Sequence, residues 1–140
     1  NSKENKWSNN HGAAVIQGWD QLPETGDTLI ISSSLKDTMS IFDITGIPGI
    51  APQAENHEFS EKIINELKSR FKKIYIFYDN DFGKEKNWGQ EFAKDTCEKH
   101  GLLNICIPDY FLSKDYSDMV FNHGKKIASK WLNLILKKEE

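Results

Sequence analysis

The sequence predicts an α/β domain, a parallel β-sheet of about four strands with helices on both faces. Short runs rich in β-branched and aromatic residues alternate, one by one, with segments whose apolar residues recur at helical spacing. Glycines stand where two of those helical segments should stop, at Gly46 and Gly101. Strands separated by single helices imply right-handed crossovers, hence a parallel sheet covered on both sides.

Residues 1–12 (NSKENKWSNNHG) are polar and aperiodic and read as a flexible lead-in or linker, leaving 13–140 as the folded unit. Ala13 to Gln17 is a short apolar run, and the turn-rich GWDQLPETGD after it is expected to clamp onto the domain through Trp19 and Leu22. TLIISSS is a strand that breaks into serines, and LKDTMSIFDITG carries Leu35, Met39 and Phe42 at helical spacing. IPGIAP is a second strand. The segment around SEKIINELKSRF puts Phe59, Ile63, Ile64, Leu67 and Phe71 on one helical face. KKIYIFYDND is the strongest strand, because β-branched and aromatic residues crowd together up to Tyr78. NWGQEFAKDTCEKHG repeats the helical pattern with Trp88, Phe92, Thr96 and Cys97, and LLNICIPD is the fourth strand. A closing helix is expected to run through Val120, Ile127, Trp131 and Ile135.

A chain of 140 residues with 38% hydrophobic and 28% charged residues suits one globular domain with a real core. The net charge of -3 gives no global attraction to nucleic acid, so any such contact needs a local basic patch or bound metal. The lysines of the last helix (Lys125, Lys126, Lys130, Lys137, Lys138) fit either such a contact or a merely solvated face. Cys97 and Cys106 form no CxxC and the histidines (11, 57, 100, 123) show no ligand spacing, so a structural zinc site is not expected. Two isolated cysteines suit a reducing, cytoplasmic setting, and no apolar run is long enough to span a bilayer. The four tryptophans (Trp7, Trp19, Trp88, Trp131) are scattered and are expected to pack rather than stack on bases. The chain opens on Asn rather than Met, which suits a fragment of a larger protein.

In parallel sheets the ligand site lies beyond the carboxyl ends of the strands, which singles out residues 32–34, 52–55, 79–83 and 108–118. Asp79-Asn80-Asp81 directly follows the strongest strand. Two carboxylates there can reach one small region and make a hard-oxygen site for Mg²⁺ or Mn²⁺. The competing reading is a plain turn, since Asp, Asn and Gly dominate turns. Asp118 could add a carboxylate to the same edge, although the spacing better suits Ser117 or Asp118 capping or charging the first turn of the last helix. Ser34 with Asp37 resembles a shortened capping box at the first helix, whose amino end could also accept a phosphate.

These pieces, in this order, resemble the Toprim family, shared by bacterial and phage primases, topoisomerases and some nucleases. LIISSSLKD stands in the first motif, IYIFYDND in the second and KDYSDMV in the third, so the likeness spans roughly residues 28–120. The surrounding wording (VIQGWDQLP, GIPGIAPQAEN) is most similar to primase-type members from phages and mobile elements, where a zinc-binding module commonly precedes the domain. The resemblance implies Mg²⁺-dependent (or Mn²⁺-dependent) nucleotidyl transfer, the synthesis of RNA primers in DNA replication. It implies metal held by Asp79 and Asp81 with help from Asp118 or Glu55, and phosphate contacts from Lys36, Lys84, Ser33 and Ser34. Asp37 matches the family's Asp after the first motif and is expected to order the site. Single-stranded DNA template, nucleotides and a replicative helicase are the implied partners, with no membrane.

The chain departs from the family at one position that matters. The family's Glu-Gly at the end of the first strand aligns with Ser33-Ser34, and a hydroxyl cannot replace a carboxylate as ligand or base near neutral pH. Three readings follow: Glu55, just past the second strand, supplies the missing carboxylate; the remaining aspartates suffice; or the domain is a catalytically silent module that binds nucleic acid or a helicase. A nuclease or topoisomerase fragment is a further reading, the latter needing a tyrosine nucleophile from elsewhere. A receiver-type phosphoacceptor fits poorly, because it needs an acidic pair where this chain has serines.

Overall fold

The computed structural model describes residues 16–138. The lead-in expected over residues 1–12 lies outside the described residues, as do positions 13–15 and 139–140. Five strands form one sheet in the order β1-β3-β2-β4-β5: β1 (Ile16–Gln17), β2 (Gly26–Ser32), β3 (Gly49–Pro52), β4 (Phe71–Phe77) and β5 (Leu103–Asn104). The strands β3, β2, β4 and β5 are parallel, as the alternation predicts, and β1 is a short antiparallel edge on β3. The helices are α1 (Leu35–Thr45), α2 (Glu61–Arg70), α3 (Trp88–His100), α4 (Tyr116–His123) and α5 (Lys125–Lys138).

Successive residues of the central strands point to opposite faces, and both faces are covered. Leu29, Ile31, Ile74, Ile76 and Tyr78 join Ile64, Leu67 and Ala93 of α2 and α3 in one core. Ile30, Tyr75, Phe77, Ile105 and Ile107 join Ile41, Met119, Ala128 and Leu132 of α1, α4 and α5 in the other. This two-sided burial explains why β2 and β4 read as continuous apolar runs. Trp19 and Leu22 pack against the first core, as the turn-rich segment suggested, and Trp131 packs against the second. Trp88 is the exception among the described tryptophans: it is 50% exposed, stacked on Phe92 with the Lys86 ammonium over its ring.

The closing helix is not continuous. Gly124, at φ 91° and ψ 160°, ends α4 with its N–H on Val120 O, and its own carbonyl accepts from Ala128 N at the start of α5. Only glycine adopts this backbone without strain. The apolar periodicity carries on across the break, so it could not reveal it.

β2 lies between β3 and β4, its Ile31 paired with Ile50 on one side and Ile76 on the other. α1 leaves β2 toward one face of the sheet and α3 leaves β4 toward the other. A crevice therefore opens beyond the carboxyl ends of these two strands, the place where parallel sheets bind ligands.

Candidate metal centre at the carboxyl edge of the sheet

Three aspartates from three different connections meet in that crevice. After β2 the chain turns through Ser33 and Ser34, and Ser34 caps α1 by accepting from Asp37 N at 3.2 Å. This local geometry rolls Asp37 inward, where it is 2% exposed. Asp79 follows β4 by two residues. Asp115 caps α4, its Oδ1 accepting from Asp118 N at 2.8 Å. One carboxylate oxygen from each of Asp37, Asp79 and Asp115 lies within 4.8 Å of the others.

Hydrogen bonds hold this trio in place. Ser33 Oγ donates to Asp79 Oδ1 at 2.6 Å and makes a longer contact to Asp37 Oδ2 at 3.4 Å. Ser34 Oγ donates to Asp37 Oδ2 at 3.1 Å, and Ser117 N donates to Asp37 Oδ1 at 3.0 Å. Among the described residues no donor reaches Asp79 Oδ2 or Asp115 Oδ2. Carboxylates oriented by neighbours through one oxygen, with the other available, are typical of metal-ligating acids.

Glu55 lies behind Asp79, with its Oε2 accepting from Asp79 N at 2.9 Å. Burial pushes the Asp79 carboxyl up to about 6, and repulsion from Glu55 and Asp37 adds to this, while the Ser33 hydrogen bond and the Lys114 charge pull it down. Burial likewise lifts Asp115 to about 6, with Asp37, Asp118 and Asp79 adding repulsion. Glu55 is also raised, first by burial and then by Asp81, against the Asp79 N–H and Lys114. The centre is thus a set of hard oxygen donors whose charges lack sufficient compensation. Its donor chemistry fits a divalent cation of the Mg²⁺ or Mn²⁺ kind.

Asp81, the other expected ligand of the pair, faces elsewhere. It is 8% exposed, accepts from Gly89 N at 2.9 Å and pairs with Lys84 at 3.8 Å. The turn between β4 and α3 is a closed network. Asn80 Nδ2 donates to Ile107 O and Asp109 Oδ1, and Asn87 Nδ2 donates to Asn80 Oδ1. Asn87 Oδ1 accepts from Asp81 N and Gln90 N, while Gln90 Nε2 reaches the carbonyls of Tyr78 and Asp79. Gly89 sits so close that a Cβ there would lie 2.2 Å from Asp79 O.

The structure therefore brings Asp79, Ser33, Ser34 and Glu55 together and leaves Asp81 and Asp118 outside the trio. Asp118 makes a long contact with Lys114 N at 3.4 Å in the first turn of α4. Lys36 is exposed on the first turn of α1, and Lys84 is tied to Asp81. Sequence reasoning missed Asp115 and Lys114. The signal was present: Asp115 stands three residues before Asp118, the spacing of an N-cap and its partner.

No family model and no curated protein matches the chain. Among solved structures it is similar to the primase fragment of the bacteriophage T7 primase-helicase protein, with a TM-score of 0.51 at 9% identity over 77% of this chain and 44% of that one. It also matches a bacteriophage T7 structure in which lagging-strand DNA polymerase interacts with primase domains bound to an RNA/DNA hybrid and dTTP. That match has a TM-score of 0.49 at 10% identity, over 74% of this chain and 52% of that one. The chain spans about half the length of these structures. The likeness is one of fold: the chain has an α/β fold similar to that of the T7 primase fragment.

Proposed function

We propose that this chain is a Toprim-type domain that performs primase-like, divalent-metal-dependent nucleotidyl transfer on a single-stranded DNA template. The observation that carries the reading is the meeting of Asp37, Asp79 and Asp115 in the crevice between β2 and β4. A bound Mg²⁺ or Mn²⁺ would neutralise the triphosphate of an incoming nucleotide and the charge that develops on it. Asp79 and Asp115 present their unclaimed oxygens as ligands, and Asp37, held by Ser34 Oγ and Ser117 N, closes the set. Asp81 and Asp118 take supporting roles in this reading, because backbone N–H groups of α3 and the α4 approach occupy their carboxylates.

Glu55 is our substitute for the family's Glu. It enters from the end of β3, lies against the backbone of Asp79, and holds a proton more readily than an ordinary carboxyl because it is buried. The amino end of α1, with Ser34 and Lys36, and the Lys114 ammonium group are the positive features available to phosphates, whereas Lys84 is engaged by Asp81.

The Ser33 hydroxyl favours a second reading. It occupies the family's Glu position and spends its proton on Asp79, which suits a silent module that binds nucleic acid or a helicase. Oligoribonucleotide synthesis on a single-stranded template separates the two. Product from the wild type and none from Asp79→Asn supports the enzyme. No product beside an active control polymerase, with divalent-ion binding intact, moves the assignment to the silent module.

A further inference from the structure

We infer that the outer face of α5 is a docking stripe for the phosphate backbone of a nucleic-acid strand. This rests on the proposal that the protein handles nucleic acid, and assigns to that handling a surface separate from the acidic centre. α5 (KKIASKWLNLILKK) carries five lysines and no acidic residue, in a chain whose net charge is -3. Its neighbours are built differently. α2 mixes Glu61 and Glu66 with Lys62, Lys68 and Arg70, and closes the Glu66–Arg70 pair at 3.2 Å. Among the described residues no ion pair involves Lys125, Lys126, Lys130, Lys137 or Lys138.

The lysines are also aligned. Lys126, Lys130, Asn133 and Lys137 stand at i, i+4, i+7 and i+11, which is one line along a helix of about 16 Å. All four are exposed. The opposite side is committed to the core: Ala128 and Leu132 are buried, and Trp131 meets Phe77 and Phe111. The apolar side chains that α5 exposes are Ile127 and Leu134, a pair beside the lysine row rather than the wide apolar face that an interfacial helix lays into a bilayer, so an anionic membrane is the poorer occupant. Lys125 and Lys126 occupy the first turn, where the helix dipole disfavours cations. Local stability would not select them there, whereas a row of positive charge matches a strand carrying one negative charge per nucleotide. Trp131 links the stripe to the site edge, since its partner Phe77 lies two residues before Asp79.

The test measures anisotropy of a labelled single-stranded oligonucleotide between about 50 and 200 mM salt. It compares wild type, Lys126→Glu/Lys130→Glu/Lys137→Glu, and a charge-matched control, Lys62→Glu/Lys72→Glu/Lys94→Glu. We expect the stripe variant to bind at least about 10-fold more weakly, with the slope of log K against log salt shallower by about 2. The control should stay within about 2-fold of the wild type. Equal losses in the two triple variants, or no binding by the wild type, would overturn the stripe. So would binding to phosphatidylserine vesicles, lost in the stripe variant, in the absence of oligonucleotide binding. Mn²⁺ titration of the same proteins keeps the two ideas apart. Intact Mn²⁺ binding with no stripe effect sinks only the stripe, whereas a stripe effect without Mn²⁺ binding in the wild type sinks only the metal-centre reading.

Discussion

The two ends of the Asp79-Asn80-Asp81 turn have opposite fates. Asp79 faces the crevice and meets Asp37 and Asp115, with one oxygen fixed by Ser33. Asp81, two residues on, turns toward α3 and binds Gly89 N and Lys84. Two carboxylates at this spacing can reach one site, but a helix amino end beside them competes for the second carboxylate with its unsatisfied N–H groups. The acidic centre is instead completed by side chains distant in sequence.

The strongest way to break this contrast is to remove each acid in turn. Asp79→Asn should weaken Mn²⁺ binding by about 100-fold, read by calorimetry. The metal-free variant should melt higher than the wild type, because one like charge has left the cluster. Asp81→Ala should leave Mn²⁺ affinity within about 3-fold while costing about 1 kcal/mol through its lost N–H acceptor. Equal losses of Mn²⁺ affinity in the two variants would erase the distinction.

Gly89→Ala strikes the junction of the two regions. Its Cβ would lie 2.2 Å from Asp79 O and 3.2 Å from Asp79 Cβ, so either α3 or the Asp79 backbone must shift. We expect a cost of about 1–3 kcal/mol in chemical denaturation and weaker Mn²⁺ binding by the folded variant. Unchanged Mn²⁺ affinity would show that the turn yields on the α3 side alone.

Acid should reveal the centre without mutation. Asp79 and Asp115 titrate near 6 when folded, above their ordinary range. A carboxyl raised in this way favours folding below its unfolded pKa, and that contribution is lost as pH rises through about 6. The metal-free protein should therefore gain about 5 °C in melting temperature between pH 7 and pH 5. His100, whose pKa burial lowers, works with the opposite sign, so the comparison is with Asp79→Asn, whose gain should be smaller. Saturating Mn²⁺ should flatten the wild-type profile; a profile that Mn²⁺ leaves unchanged would detach these carboxyls from metal binding.

Much of the fold was legible because each element's signal was local. β2 and β4 are buried on both faces and read as apolar runs, while Ser34, Gly46 and Gly101 mark helix ends. β1 was less so, since two residues carry no alternation. The Gly124 break hid because Val120, Ile127 and Trp131 keep helical spacing across it. The crevice was predictable from topology, and Asp79 with it, but not which acid of KDYSDMV would face it. Asp115 and Asp118 differ by three residues, and their facing depends on where α4 begins, which the Asp115 cap fixes. The direction that Asp81 takes was hidden for the same kind of reason: Asn87 caps α3, bringing Gly89 N to the carboxylate.

The smallest expected effect concerns Ser33, whose hydroxyl reaches the Asp79 carboxylate. At 2.6 Å its proton stabilises the ionised form of Asp79 and lowers its pKa against the burial that raises it. Ser33→Ala removes that donor, so Asp79 should titrate higher than about 6, with the loss of stability on raising pH shifted upward accordingly. The variant should be destabilised by about 1 kcal/mol at pH 8, where Asp79 is ionised, and by less at pH 5, where it is protonated. Mn²⁺ affinity should fall only about 3-fold, since Asp79 Oδ2 remains available. A destabilisation equal at both pH values would mean that Ser33 merely shapes the start of α1. A pH-dependent one would make this hydroxyl the group that keeps the Asp79 carboxylate charged at the centre.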